Sequence, residues 1–152
     1  MKISGLLSAA NVMVDVRAAD KSQLLRDLAQ LAAAALQMPP ELIATELNKR
    51  EQLGSTGMGG GIAIPHARFA ALAKPFGILA RLRQPIDFDA IDGQRVDLVF
   101  VLLLPASPDG EQLGALACVA RQLRLPSVID RLRRLRRPAE LYAAIAVAPD
   151  AA

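Results

Sequence analysis

The run Val96-Asp-Leu-Val-Phe-Val-Leu-Leu-Leu104 limits the fold more than any other part of the chain. Side chains of a strand alternate between two faces, so a run that is apolar at both parities must be covered on both sides. Such a strand belongs at the centre of a sheet with helices against each face. Pro105 removes a backbone donor and ends it.

The flanking patterns supply the other elements. Val12-Met-Val-Asp-Val16 has the branched residues of a short strand, and Asp20 and Gln23 then stand at capping-box spacing. The periodicity predicts a helix to about Leu36, with Leu24, Leu28 and Leu31 on one face and Gln23, Arg26, Asp27 and Gln30 on the other. Met38-Pro-Pro-Glu41 opens a second helix that buries Ile43 and Leu47 and delivers Arg50 and Glu51 to a glycine-rich loop. Gly77 to Arg83 reads as a strand. Three helical patterns follow the central strand: Gly110 to Leu123 with Leu113, Leu116, Ala120 and Leu123 inward, Ser127 to about Leu135, and Pro138 to about Val147. With no internal repeat and no linker, residues 1–152 are expected to form a single α/β domain of three layers, helices packing on both faces of one sheet.

Composition narrows the setting. A chain of 152 residues, 53% of them hydrophobic, can bury one substantial core. No stretch approaches the roughly eighteen consecutive apolar residues of a membrane span, and the first residues are too short an apolar run for a secretory signal. Membrane insertion is therefore not expected. The lone Cys118 excludes an intramolecular disulfide, fits a cytoplasmic location, and reads as a small core residue. The net charge is +3, but Arg121, Arg124, Arg131, Arg133, Arg134, Arg136 and Arg137 crowd the C-terminal third. Aromatic residues make up only 3% of the chain, too few for base-stacking platforms, so no nucleic-acid partner is expected. Those arginines read as a solvated helical face, with an acidic protein partner as the alternative.

The chemistry concentrates in Gly54-Ser-Thr-Gly-Met-Gly-Gly-Gly-Ile-Ala-Ile-Pro-His66, which ends on the only histidine of the chain. Imidazole titrates near neutrality, so its neutral ring can serve as nucleophile, base or ligand. A metal would need several ligands, and one histidine, one cysteine and scattered carboxylates lack ligand spacing. Neither the Gly-x-Ser-x-Gly of a serine hydrolase nor the lysine of a nucleotide phosphate loop is present. Phosphoryl transfer to His66 suits what remains: loop N–H groups and hydroxyls, from Ser55, Thr56, Gly57 and Gly59, can hold phosphoryl oxygens while an arginine offsets their charge. Arg50, at a helix end just before the loop, is the stronger candidate, whereas Arg68 reads as a surface residue. Asp87, Asp89 and Asp92, interleaved with Ile86, Phe88 and Ile91, read as an exposed strand face and turn rather than a carboxylate or metal site.

The run from Arg50 through His66 resembles the active-site signature of the fructose/mannitol-type enzyme IIA domains of the bacterial phosphoenolpyruvate phosphotransferase system (PTS). The likeness continues through Ile86-Asp-Phe-Asp-Ala-Ile-Asp-Gly-Gln-Arg-Val-Asp-Leu-Val-Phe100 and the helix from Leu113 to Leu123, and is most like the nitrogen-branch regulatory enzyme IIA. The resemblance implies a mixed sheet of about five strands between helices. It also implies phosphorylation of His66, on Nε2, by an HPr-type histidine phosphocarrier, with Arg50 lining the pocket. No metal or organic cofactor is expected, and the phosphorylation state would regulate target proteins such as transporters or kinases.

Three positions depart from the family pattern. Gly60 stands where asparagine is common, Arg95 replaces a proline before the central strand, and Gln112 occupies the position of a second active-site histidine. Gln112 can still donate to a phosphoryl oxygen, but it cannot become cationic. A docking regulator that is not phosphorylated, or a sugar-transport enzyme IIA passing phosphate to an enzyme IIB, are the alternative readings.

Overall fold

The computed structural model describes residues 2–106 and 111–146, without the side chains of 111–113. A six-stranded mixed sheet lies between two helical layers. Its strands are β1 (Val12–Val16), β2 (Gly57–Gly59), β3 (Ile62–Ala63), β4 (His66–Phe69), β5 (Phe76–Ile86) and β6 (Val96–Pro105). Five of them run in the order β1-β5-β6-β3-β2, and β4 also pairs with β6. β1 is parallel to β5, β5 antiparallel to β6, and both β3 and β4 are parallel to β6.

The central strand β6 sorts its side chains by parity. Leu98, Phe100, Leu102 and Leu104 enter the core beneath α3 (Glu111–Gln122), α4 (Pro126–Arg134) and α5 (Pro138–Ala146). Val99, Val101 and Leu103 enter the core beneath α1 (Lys21–Leu36) and α2 (Pro40–Gln52). All seven are 3% exposed or less, and burying each aliphatic or aromatic side chain contributes about 1.5–3 kcal/mol. The apolar run is thus consumed by two cores, which is why the fold has three layers.

α1 is capped as its sequence predicts: Asp20 Oδ1 accepts the Gln23 N–H at 2.8 Å, and Gln23 Oε1 accepts the Ala19 N–H at 2.8 Å. Its buried stripe is Leu24, Leu25, Leu28, Ala29, Ala32 and Ala33, whereas Leu31 is 46% exposed. The alanines let α2 approach closely, which turns the helix so that Leu31 leaves the core.

Two further differences concern segments near the site. The apolar run after the glycines is broken at Ile64-Pro65, so His66 begins β4 rather than ending β3. After Ile86 the acidic segment leaves the sheet, and Phe88 is fully buried while Ile91 is 90% exposed. The inward apolar positions of α3 are Ala115, Cys118 and Val119, with Leu116 and Ala120 partly buried and Leu123 buried just past its end; Leu113 lies outside the described side chains.

Candidate functional site

Proline at 65 interrupts the edge pairing, yet the Pro65 carbonyl still accepts the Leu102 N–H at 2.8 Å, so β4 resumes in register with β6 at His66↔Leu102. His66 is half-buried, and its Nδ1 lies 2.8 Å from the Ile64 carbonyl oxygen. A carbonyl can only accept, so Nδ1 carries the proton and the lone pair of the neutral ring resides on Nε2. Burial pushes the imidazole pKa below its ordinary 6.5, and the Arg50 and Arg68 charges push it the same way, against the Ile64 bond and Glu51. The ring is therefore mostly neutral at pH 7.

His66, Ala67 and Arg68 form one wall of a cleft of about 580 Å³, and Glu46, Lys49, Arg50, Gln52 and Leu53 at the end of α2 form the other. Arg50 Nη1 donates to the Gly54 carbonyl at 2.9 Å, which holds the guanidinium against the loop. Arg68, read from sequence as a surface residue, is exposed and also lines this cleft. Leu53 stands on the rim at 85% exposure. The cleft thus offers a ring nitrogen lone pair, flanking cations and an apolar rim, an arrangement suited to attack on a small anionic electrophile.

The loop residues hold one another. Ser55 Oγ donates to the Phe88 carbonyl at 2.6 Å and accepts the Gly57 N–H at 3.0 Å. Glu51, 9% exposed, accepts the Thr56 N–H at 3.1 Å and the Thr56 hydroxyl, and pairs with Lys21 Nζ at 2.8 Å. Thr56 in turn accepts the Ile64 N–H at 3.1 Å, and the Ile64 carbonyl meets His66. A Cβ on Gly57 would lie 2.8 Å from Ala90 Cβ, so this packing requires glycine. Ser55, Thr56, Gly57 and Gly59 do not line the cleft beside His66. Gln112 stands in the first turn of α3, and its side chain is outside the described residues.

Three participants had little signal in the sequence. Glu51 was legible only as the neighbour of Arg50, and Lys21 only as a helix residue. Asp92, expected in an exposed turn, accepts the Gly60 N–H at 2.9 Å and the Gln94 N–H at 3.1 Å, which hold its carboxyl below the usual carboxylate value. The Lys21–Glu51 and Asp92–Gly60 contacts each join segments that are distant along the chain. Among the described residues no cluster of histidine, cysteine or carboxylates is placed to hold a metal, and no helix is long and apolar enough to cross a membrane.

Comparison with known proteins places the fold and the sequence in one family. A nitrogen regulatory protein from Bradyrhizobium diazoefficiens is 39% identical over 149 residues, covering 98% of this chain and 97% of that one. The crystal structure of nitrogen regulatory protein IIA-Ntr from Neisseria meningitidis superposes with a TM-score of 0.89 at 32% identity, covering 94% of this chain and 98% of that one. The complex of enzyme IIAMTL with phosphorylated enzyme IIBMTL from Escherichia coli shares the fold, with a TM-score of 0.78 at 21% identity over 92% of this chain and 96% of that one. Residues 5–147 match the family model described as phosphoenolpyruvate-dependent sugar phosphotransferase system, EIIA 2, and the chain belongs to that family.

Proposed function

We propose that this protein is a regulatory phosphocarrier of a PTS relay, in which His66 Nε2 accepts a phosphoryl group from an HPr-type histidine phosphocarrier. The observation that carries the reading is the Nδ1 contact with the Ile64 carbonyl, which leaves Nε2 as the nucleophile in a cationic cleft. Nε2 forms the new N–P bond as the carrier's N–P bond breaks and its imidazole leaves. The His66 ring becomes more positive in that step, and the Ile64 carbonyl offsets the change through the retained Nδ1 proton. Arg50 faces the incoming phosphoryl oxygens, with Arg68 adding charge from β4. Ser55, Thr56 and Gly57 act chiefly by shaping the loop, since the Ser55 and Thr56 hydroxyls and the Gly57 N–H already have partners within the fold. Gln112, in the first turn of α3, is the candidate for a further donor to the phosphoryl group. Leu53 gives the carrier an apolar contact at the rim.

Enzyme IIAMTL, which shares this fold, forms a complex with phosphorylated enzyme IIBMTL, and the nitrogen regulatory relatives support regulated protein targets here. Relative to a docking regulator that is never phosphorylated, the cleft chemistry favours the phosphocarrier. The test is intact-mass measurement after incubation with phosphoenolpyruvate, enzyme I and an HPr-type carrier. One added phosphoryl group, absent in His66→Ala, is the expected result; an unmodified wild-type chain, or a modified His66→Ala chain, would overturn the reading.

A further inference from the structure

We propose that the arginine-rich face formed by α4 and its junction with α5 docks an acidic segment of a partner protein, one that carries carboxylates around an aliphatic residue. Val128 and Leu132 turn into the core, while Arg131, Arg134, Arg136 and Arg137 are exposed. Nearby acids do little to neutralise them. Asp130 pairs with Arg134 at 3.6 Å with both side chains about 70% exposed, where such a pair contributes little. Glu140 accepts the Arg137 backbone N–H at 3.2 Å at the start of α5. Among the described residues Arg131, Arg136 and Arg137 have no carboxylate partner.

The face is held rigidly. Arg133 reaches back to both oxygens of Asp97, at 2.9 and 3.1 Å, and to the Gly60 carbonyl at 2.6 Å. Arg81 Nη1, from the sheet, donates to the Leu132 carbonyl at 2.9 Å and to the Leu135 carbonyl, closing the end of α4. Two arginines are thus spent on fixing the helix, and the others project from a fixed platform. Between α4 and α5 lies a groove of about 360 Å³, with Arg131, Arg134 and Glu140 at its edges and Leu135, Ala143 and Ala144 beneath.

This chemistry selects its occupant. Guanidinium forks match carboxylates, and the small apolar floor takes an aliphatic side chain. A nucleic acid would find no aromatic platform, because Tyr142 is the one aromatic side chain on these helices and packs against the core. A membrane would find no apolar face to insert, since that face of α4 is already buried. The proposal does not rest on the chemistry of His66.

The test is titration of the isotopically labelled whole chain with a peptide of alternating glutamate and leucine, beside random duplex DNA and phosphatidylglycerol vesicles. Peptide-induced amide shifts should centre on residues 131–137 and Ala143. Arg136→Glu/Arg137→Glu, in the connection between helices where folding is little affected, should weaken peptide binding about tenfold, as should Arg131→Gln/Arg134→Gln by a smaller factor. Arg17→Glu/Arg83→Glu, around a separate cavity of about 510 Å³, should change it less than about twofold. Equal loss in that control pair, tighter binding of DNA or vesicles at α4, or no peptide binding would each overturn the proposal.

Discussion

Lys21 Nζ lies 2.8 Å from Glu51 Oε1, joining the first turn of α1 to the last turn of α2 beneath the glycine-rich loop. The Glu51 side chain is 5% exposed and that of Lys21 19%, so removing one charge strands the other in a largely dry place. Glu51→Gln should therefore lower stability by about 2–3 kcal/mol, read as a lower urea midpoint with an unchanged slope. Because Glu51 also holds Thr56, which holds Ile64, the His66 ring resonance should shift in the folded variant. A variant with wild-type stability and an unshifted ring would refute this linkage.

The depressed imidazole pKa fixes a pH dependence. Burial, then Arg50 and Arg68, hold the folded value below 6.5, so the unfolded chain binds the proton more readily. His66 thus contributes stability that is complete above pH 6.5 and declines as pH falls through the window between 6.5 and its lower folded value. Phosphoryl acceptance should likewise fall as pH drops through the folded value, which lies below 6.5. Ring titration by NMR, with transfer rates measured in parallel, checks both; a midpoint at or above 6.5 contradicts them.

Arg50 is placed to act on both charge and rate. Arg50→Ala should slow phosphorylation of His66 about tenfold, equivalent to about 1.4 kcal/mol, and raise the imidazole pKa by removing one of the charges that lower it. Arg50→Lys should recover only part of the rate, because an ammonium lacks the planar fork. Unchanged single-turnover rates in both variants would remove Arg50 from the site.

Gly60 and Gly61 both have left-handed backbone, with φ of +67° and +84°, but different neighbours. A Cβ on Gly60 meets nothing within 4 Å, and asparagine tolerates this conformation, so Gly60→Asn should cost less than about 1 kcal/mol. A Cβ on Gly61 would lie 2.6 Å from Arg133 Nη2 and 3.0 Å from Asp97 Oδ1. Gly61→Ala should therefore cost about 2 kcal/mol or more through strain and loss of that ion pair. Thermal melts showing equal losses in the two variants would exclude the Arg133 contact as the cause.

Gln112 is the last position to test. A neutral amide supports a developing phosphoryl charge less than an imidazolium by about 1 kcal/mol, so Gln112→His should speed phosphorylation roughly fivefold or slow phosphohistidine decay. The added imidazole should also introduce a new pH dependence near its own pKa. Superimposable wild-type and variant curves across pH would show that residue 112 does not reach the phosphoryl group.

The layers of the fold were legible in the chain because they follow from local periodicity. The two-parity run of β6 demands cover on both sides, Asp20 and Gln23 cap α1, and Pro40 and Pro138 open α2 and α5 as their restricted φ allows. His66 and Arg50 could be singled out because each sits at one end of a continuous motif. The partners of that motif could not. Lys21 reaches Glu51 from thirty residues away, Asp92 meets Gly60 across thirty-two, and Arg133 meets the same glycine across seventy-three. Likewise Leu31 faces solvent only because α2 packs against the alanines beside it. Periodicity is a property of neighbours in sequence, whereas a salt bridge or a donor's partner depends on how separate elements meet, and that is set when the two helical layers close on the sheet.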